Sequence, residues 1–233
     1  MKNMKKLSVL IMTVLAVVLF SSCKDQSGIY VEQLYTNAQK DKAIRACLYA
    51  SADTAVKHLC VPDGFYNYLN SFYRIDYEPL EFTLFDTLEA HGYGNLADTL
   101  ILRTNRMAEN CGSQVSAALH SAIDSLDIVD YDRLVDGDYD AITHYFEIYM
   151  YRYLQSAFQS PVSIRMPIYR VTDTWNAMMQ EYIKYTPVPL NFDIQGYIVD
   201  RMLDDILTEM SIEEVLIRTD STHRSADMKL LGK

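Results

Sequence analysis

The amino-acid sequence predicts an all-α fold, a single domain built as a bundle of many helices. Apolar residues recur at three- and four-residue spacing over most of the chain, as on the buried face of an amphipathic helix. Glycine, proline and asparagine fall between these runs, where they end one helix or begin the next. The sequence lacks pairs of alternating apolar runs joined by a hairpin turn, which would indicate antiparallel strands.

The N-terminal segment predicts an export signal. Lysines near the start precede an almost unbroken apolar stretch at residues 7–20, which is shorter than the ~20 residues of a membrane-spanning helix. Small residues then lead to Cys23, as in the lipobox of bacterial lipoproteins. We therefore expect residues 1–22 to be a cleaved signal peptide and Cys23 to carry lipid, with residues 23–38 as a tether. An ordinary secretory signal, in which Cys23 has no role, is the alternative.

The residues after Cys23 bear on the location of the protein. Lys24 follows it, whereas aspartate at that position retains lipoproteins at the inner membrane. We therefore expect an address at the outer membrane of the cell envelope, with the domain facing the periplasm. Lys24 and Asp25 partly match a surface-export signal, but Gln26 interrupts its acidic run. Exposure on the cell surface is the alternative.

The helices of the domain can be placed from apolar spacing and from the residues at their ends. Residues 62–64, Pro-Asp-Gly, end the first helix, and an aromatic-rich stretch without a period follows it. Asn95 and Ser113 are candidate N-caps, and Pro161 marks a break in the chain. The predicted helices span residues 39–60, 79–91, 96–111, 115–126, 131–135, 139–158, 172–185 and 194–218.

The chain is acidic, with 31 Asp and Glu against 21 Lys and Arg. Cleavage after residue 22 would remove lysines and no acids, so the acidic excess of the remaining chain is larger still. Without a cluster of Lys and Arg, the surface is a poor partner for the phosphates of nucleic acids or of anionic lipids. We therefore exclude nucleic acid as a partner, and we expect the lipid on Cys23 to attach the protein to a membrane.

Cysteine usage argues against a disulfide-stabilised scaffold. Besides Cys23, the chain has Cys47, Cys60 and Cys111, an odd number. Cys47 and Cys60 lie on one predicted helix and are too far apart to pair with each other, whereas either could pair with Cys111. We favour buried, unpaired thiols, because free cysteine is among the residues that are most often buried.

Motifs of metal, nucleotide or serine-hydrolase chemistry are missing from the sequence. The histidines lack HExxH spacing, and neither a CxxC pair, a GxSxG elbow nor a Walker glycine loop occurs. The aspartates at residues 124–140 invite a calcium site, but a loop starting at Asp130 would put Leu134 at a ligand position and Val135 at the glycine position. We therefore predict neither a metal nor a cofactor, and we interpret these acids as N-caps and a solvated face.

Four blocks of sequence are similar to one bacterial family. They are ADTAVKHLCVPDGF at 52–65, NRMAE at 105–109, DAITHYF at 140–146, and EEVLIR at 213–218 with Arg224 and Asp227 after it. In this order, over residues 39–233, they resemble the family known as domain of unknown function 4197, whose members are exported, all-helical proteins. Family members end in a Leu-Leu-Lys-Lys-Val-Phe-Gly-like tail that this chain lacks. The resemblance implies a fold and a compartment but no activity, because none is assigned to the family.

A set of polar residues forms the candidate site. Its members are Asn105, Arg106, Glu109, Glu213, Glu214, Arg218, Arg224 and Asp227. At helical spacing Asn105 and Glu109 share a face, and Glu214 and Arg218 form an acid-then-base pair in the favourable orientation. We favour a structural salt-bridge network that joins the C-terminal segment to the third helix. A polar floor beneath a tyrosine-lined pocket is the alternative.

Tyrosine is abundant, with 18 in the chain. Tyr145, Tyr149, Tyr151 and Tyr153 crowd one predicted helix, on which Tyr145 and Tyr149 share a face. We expect them to pack in the core and at its boundary, because tyrosine buries a ring and keeps its hydroxyl wet. A recognition surface for a partner protein or a glycan is the alternative.

Two classes of function remain. In the first, which we favour, the domain is a non-catalytic binding or interaction module for a small amphipathic ligand or a partner protein. In the second, it is a carboxylate-based envelope enzyme of the hydrolase type, with Glu109 and either Glu213 or Glu214 as acid and base. Carboxylates that converge in a concave, partly apolar pocket would favour the enzyme. The same acids, each paired with arginine at a helix seam, would argue against it.

Overall fold

A computed structural model of the chain describes residues 35–66, 74–77, 80–186 and 190–233. The predicted signal peptide, Cys23 and most of the tether lie outside these residues. The described residues form helices, turns and connecting segments without a strand, which confirms the all-α prediction. Residues 36–233 belong to one compact unit. Within the described ranges, no helix combines the length and the apolar composition that crossing a membrane requires.

The helices follow the order that the apolar spacing predicts. In the described part of the chain they are α1 (Asn37–Leu59), α2 (Asp86–Ala90), α3 (Asn95–Glu109), α4 (Gly112–Ser125), α5 (Tyr131–Asp136), α6 (Ala141–Ile168), α7 (Val171–Tyr185) and α8 (Ile194–Thr219). A π-helical turn at Glu81–Phe85 leads into α2, and two 3₁₀ turns, Ser221–His223 and Ala226–Leu231, follow α8.

Helix α8 lies at the centre of the domain and packs against α1 and α6. Its apolar residues Ile198, Met202, Ile206 and Met210 recur every four residues and are fully buried. Burial of each such side chain stabilises the fold by ~1.5–3 kcal/mol. This packing also fixes the positions of the polar residues of α8, which include several members of the candidate site.

Side-chain caps decide where some of the helices begin. Helix α1 starts before the predicted position because Thr36 and Gln39 form a capping box: Gln39 N donates to Thr36 Oγ1 at 3.3 Å, and Thr36 N donates to Gln39 Oε1 at 2.9 Å. The predicted cap Ser113 instead lies inside α4, whose N-cap residue Cys111 makes no side-chain cap bond. Asn95 is likewise the first residue of α3 rather than its cap.

The predicted break at Pro161 is wrong. Helix α6 runs through this proline and ends at Ile168. A proline inside a helix costs ~3 kcal/mol because it removes a hydrogen bond and crowds the preceding turn. Phe158, Val162 and Met166 surround it at four-residue spacing and are buried. Their burial contributes ~1.5–3 kcal/mol each, which offsets the cost of the proline and keeps the helix continuous.

Candidate functional site

Glu214 and Arg218 form a fully buried ion pair, one turn apart on α8. Arg218 Nη2 lies 2.8 Å from Glu214 Oε1. The same guanidinium donates to the carbonyl oxygens of Leu134 and Val135 at 2.7 and 2.8 Å. Both carbonyls belong to the short helix α5, so Arg218 satisfies acceptors that a helix end leaves without partners.

The Glu214 carboxylate also binds the start of α6. It accepts hydrogen bonds from the backbone N–H groups of Ile142 and Thr143 at 3.0 and 2.6 Å. A carboxylate at a helix N-terminus is stabilised by the helix dipole and by the free N–H groups there. The pair of Glu214 and Arg218 therefore joins α5, α6 and α8, which indicates a structural role.

Asn105 holds the segment at residues 74–77 against α3. Its side chain donates to the carbonyl oxygen of Ile75 and accepts from the backbone N–H of Ile75, both at 2.9 Å. A further hydrogen bond to the carbonyl oxygen of Ile101, at 2.8 Å, completes the partners of this fully buried amide. The Asn105 amide pairs with both backbone polar groups of Ile75, as a neighbouring strand would, so its role is also structural.

Arg106 and Glu109 border a cleft of about 410 Å³ near the end of α1. Arg106 donates to Glu109 Oε2 at 2.8 Å and to Asp63 Oδ1 at 2.5 Å. These hydrogen bonds, the one to Glu109 first, raise the pKa of Arg106 above its ordinary value. Glu109 also accepts from the backbone N–H of Tyr66 at 3.3 Å. These hydrogen bonds attach the turn that follows α1 to helix α3.

The remaining candidate residues lie apart from these pairs. Asp227 binds Lys42 on the surface, with 2.9 Å between Oδ1 and Nζ. The guanidinium of Arg224 packs so closely against Gly232 that a Cβ there would collide with it. Glu213 lies at a separate cleft. The predicted set is therefore not one site.

Helix packing explains this division. Helix α3 packs against α6 and α7, whereas α8 packs mainly against α1 and α6. Among the described residues, no hydrogen bond or ion pair joins the candidate residues of α3 to those of α8. The expected network between the C-terminal segment and the third helix is not formed among these residues, and each helix instead makes its own ion pairs and hydrogen bonds. Spacing along a helix does not specify which helices become neighbours.

A second cleft, of about 630 Å³, lies between the end of α1, the C-terminal half of α8 and the turn at residues 221–223. Two histidine–carboxylate pairs line it. His58 Nδ1 donates to Glu209 Oε1 at 2.5 Å, and His223 Nδ1 donates to Glu213 Oε1 at 3.0 Å. Glu209 and Glu213 are one turn apart and only 7% and 8% exposed. We call this site the histidine cleft.

Apolar side chains border the histidine cleft. Val61, Ile212 and Leu216 line it and are 42%, 45% and 36% exposed. Gly64 completes one wall, where a Cβ would lie 2.3 Å from the carbonyl oxygen of Leu59. Only glycine permits this close approach. An apolar border around a few convergent polar groups is typical of small-molecule sites.

The charge of the histidine cleft depends in part on His223. The hydrogen bond to Glu213 raises the pKa of His223 above its ordinary value. Lys57 supplies one ammonium group among the lining residues, whereas Glu209 and Glu213 supply two carboxylates. The carboxylates of the cleft therefore outnumber its lysine. One turn before Glu209, burial raises the pKa of Asp205 to about 7.

The sequence-based set of candidates missed His58, Glu209 and His223. The four-residue spacing of Glu209 and Glu213, between apolar residues of α8, is a signal that could have identified the two acids. The histidines come from α1 and from the turn after α8. Only the packing of these elements brings them to the carboxylates.

In this structure the three described cysteines are not bonded to one another. Cys47 and Cys111 are buried, as predicted, and Cys60 is half-buried. Burial raises the pKa of Cys111 to about 11 and that of Cys60 to about 12, and it raises the pKa of Cys47 further. None of the three therefore has the lowered pKa of a reactive thiol.

The aspartates of residues 124–140 serve as local partners. Asp130 caps α5 by accepting from Arg133 N at 3.1 Å, and Asp132 pairs with Lys40. These contacts match the interpretation as caps and a solvated face. Across the described ranges, no three His, Cys, Asp or Glu side chains are grouped so that they could hold a metal ion.

The tyrosines of α6 lie at the boundary of the protein. Tyr145 and Tyr149 share a face, with ring centroids 4.5 Å apart, as predicted. The Tyr145 hydroxyl donates to the carbonyl oxygen of Asp127 at 2.8 Å, and the Tyr151 hydroxyl donates to a carboxylate of α8 at 3.0 Å. Tyr149 and Tyr153 are exposed. The rings combine partial burial with wet or hydrogen-bonded hydroxyls.

Residues 34–232 match a family described as a protein of unknown function, DUF4197. This is the family that the four sequence blocks indicate, and the match includes every residue of the histidine cleft named above. No curated protein and no solved structure matches the chain.

Proposed function

Because the chain belongs to the DUF4197 family of proteins of unknown function, we propose its role from its own residues: it binds a small amphipathic ligand at the cell envelope. The histidine cleft is the binding site, and lipid on Cys23 anchors the domain to a membrane. The observation that carries this proposal is a pair of buried carboxylates, each of which accepts a hydrogen bond from a histidine. Exposed apolar side chains border the two pairs.

The two parts of the cleft fit two parts of a ligand. Its volume of about 630 Å³ is typical of small-molecule pockets, which span ~300–1,000 Å³. Val61, Ile212 and Leu216 would cover an apolar chain, which gains ~25 cal/mol for each Å² removed from water. Glu209 and Glu213 would accept hydrogen bonds from the polar head. The lining has two carboxylates and one lysine, so the cleft favours a ligand with an ammonium head over one with an anionic head.

Binding of n-octylammonium, below its micelle concentration, tests the proposal by calorimetric titration. We expect the full-length protein to bind this amphiphile and to bind octanoate much more weakly. Glu213→Gln removes a charged acceptor, which contributes ~1.5–3 kcal/mol, so it should weaken binding by about tenfold or more. Glu147→Gln is the matched control, because Glu147 faces His144 at 3.6 Å on the exposed side of α6. Failure of the unmodified protein to bind, or equal affinity of the Glu213→Gln variant, contradicts the proposal.

A partner protein is the other occupant that the same cleft could take. Native mass spectrometry of the protein purified from its own cell distinguishes the two. A retained small molecule supports the ligand, and the mass should disappear in the Glu213→Gln variant. A retained polypeptide would instead assign the cleft to a partner.

The proposed location is the periplasmic face of the outer membrane. Lys24 after the lipidated cysteine supports it, because the retention residue of the inner membrane is aspartate. Density-gradient separation of the two membranes tests the address. Protease added to intact cells tests the side, since a periplasmic domain is protected and a domain on the cell surface is digested.

A hydrolase is the second candidate function. The sequence suggests Glu109 with Glu213 or Glu214 as acid and base. Glu109 and Glu214 each pair with an arginine, which argues against them, whereas Glu213 pairs with His223. The histidine cleft favours a different pair, because a carboxylate on Nδ1 orients an imidazole as a general base. Hydrolysis of a chromogenic ester that slows in His58→Ala and His223→Ala would support an enzyme. A rate equal to that of buffer would exclude this activity for that ester.

A further inference from the structure

Cys60 touches the residue that follows Cys111. Cys60 is the C-cap residue of α1, and Cys111 is the N-cap residue of α4. A Cβ placed on Gly112 would lie 2.9 Å from Cys60 Cβ and 3.8 Å from Cys60 Sγ. Neighbouring Cα atoms along the chain are ~3.8 Å apart. Cys111 is the residue before Gly112 and therefore lies next to this contact.

The contact with Gly112 places Cys111 beside Cys60, as a disulfide bond requires. The Cα atoms of a disulfide lie ~4.4–6.8 Å apart and its Cβ atoms ~3.5–4.5 Å apart. The Cys111 thiol makes a weak hydrogen bond, donating to the carbonyl oxygen of Met107 at 3.4 Å, so little is lost when it turns toward Cys60. Burial and, after it, the charge of a Cys111 thiolate raise the pKa of Cys60, which agrees with Cys111 lying near Cys60.

Cys47 is not placed to pair with Cys60. The two lie on α1, separated by ~20 Å at ~1.5 Å per residue. Cys47 is fully buried near α8, where Glu214 raises its pKa and Arg218 lowers it, both less than burial raises it. The odd number of cysteines therefore divides into one adjacent pair and one buried thiol.

We propose that Cys60 and Cys111 form a disulfide bond when the protein folds in contact with a disulfide oxidant, either a small molecule or a protein. Cys60 lines the cleft of about 410 Å³, so such an oxidant can reach it. The Cys60 thiol loses its proton and attacks the S–S bond of the oxidant, which gives a mixed disulfide and releases one thiol. The Cys111 thiol then loses its proton and attacks the Cys60 sulfur, which releases the second oxidant thiol.

The bond forms faster during folding than afterwards. Burial raises the pKa of both thiols in the folded protein, and the thiolate is the attacking species. Exchange is therefore fastest before α1 and α3 close around the sulfurs. This inference is independent of the ligand proposed for the histidine cleft.

The bond would also stabilise one wall of the histidine cleft. It closes a loop over residues 61–110, which includes Val61 and Gly64 of that wall. A cross-link restricts the unfolded chain and thereby raises the stability of the folded one. The oxidised protein should consequently unfold at a higher temperature than the reduced protein.

Refolding under two redox conditions tests the proposal. The full-length protein is reduced and unfolded, then refolded in glutathione buffer with an excess of either the oxidised or the reduced form. Free thiols are alkylated, and the peptides are mapped by mass spectrometry. We expect a peptide linked through Cys60 and Cys111, with alkylated Cys47, in the oxidised sample, and a Tm several degrees above that of the reduced sample.

Two variants make the assignment specific. Cys47→Ser should keep the linked peptide, whereas Cys111→Ser should leave Cys60 unlinked to the chain. Alkylation of Cys47, Cys60 and Cys111 in the oxidised sample, glutathione retained on Cys60 without a link, or a link through Cys47 would each overturn the proposal. The comparison of oxidised with reduced unmodified protein decides the matter even where a variant does not fold.

Discussion

At the scale of single residues, Glu214 and Arg218 should be required as a pair. Arg218→Met leaves the Glu214 carboxylate buried without its cation, so we expect the free energy of unfolding in urea to fall by ~3–5 kcal/mol. The double variant with Glu214→Leu should recover part of the loss, because it leaves no buried charge. Lys184→Met, which breaks the exposed pair with Glu181, is the control and should leave the stability unchanged.

Two results would contradict a structural role for this pair. One is an equal loss in the Lys184→Met control. The other is a double variant that is less stable than Arg218→Met alone, which would mean that the charge of Glu214 is not the source of the loss.

Asp205 should make the stability depend on pH. Burial raises the pKa of this carboxyl from 3.8 to about 7 in the folded protein, so the folded state holds the proton more tightly than the unfolded state. The stabilisation that comes from this bound proton is complete below the pKa that Asp205 has in the unfolded chain. It is lost as the pH rises through the pKa that Asp205 has in the folded protein. Asp205→Asn, which cannot ionise, should therefore gain stability over the unmodified protein most strongly above pH ~7, by up to ~4 kcal/mol.

Urea unfolding between about pH 4 and pH 8 measures this effect. The gain of the Asp205→Asn variant should be small at the acidic end and should grow through the interval. Asp173→Asn, at an exposed position of α7, is the control and should show no such trend. A gain that does not change with pH would assign the effect to packing instead of ionisation.

Single residues also show what the sequence could reveal of the candidate site. The spacing of Glu214 and Arg218 predicts that they pair, and they do. It does not indicate that α5 and α6 would supply the backbone partners of the pair. His58 and Glu209 lie far apart in sequence, so no local pattern could predict the contact that makes the histidine cleft.

At the scale of elements, the N-cap of α1 should stabilise the fold more than the predicted cap of α4. Thr36→Ala removes the side-chain acceptor for Gln39 N, so we expect a loss of ~1 kcal/mol in urea unfolding. Ser113→Ala is the matched control, because Ser113 lies inside α4 and alanine is a better helix former. A larger loss from Ser113→Ala than from Thr36→Ala would restore the start of α4 that the sequence predicts.

The helices differ in how well their sequence specifies them. Four-residue spacing of apolar residues predicts α8 almost to its ends, because one helix face faces the core over its whole length. The same rule fails at Pro161, where a local breaker competes with the burial of Phe158 and Val162. Local propensity alone predicts a break there. The free energy gained by burying the neighbouring side chains is larger than the cost of the proline, so the helix continues.

At the scale of the whole molecule, the acidic charge makes Cys23 the residue on which we expect the location to depend. A chain with a formal net charge of −10 has little electrostatic affinity for anionic lipids, so lipid on Cys23 is the expected attachment. Cys23→Ser should move the protein from the membrane fraction to the soluble fraction in an immunoblot of fractionated cells. Cys47→Ser keeps Cys23 and should stay with the membranes. If Cys23→Ser remained bound, another contact would have to hold the domain, and the proposed anchor would be wrong.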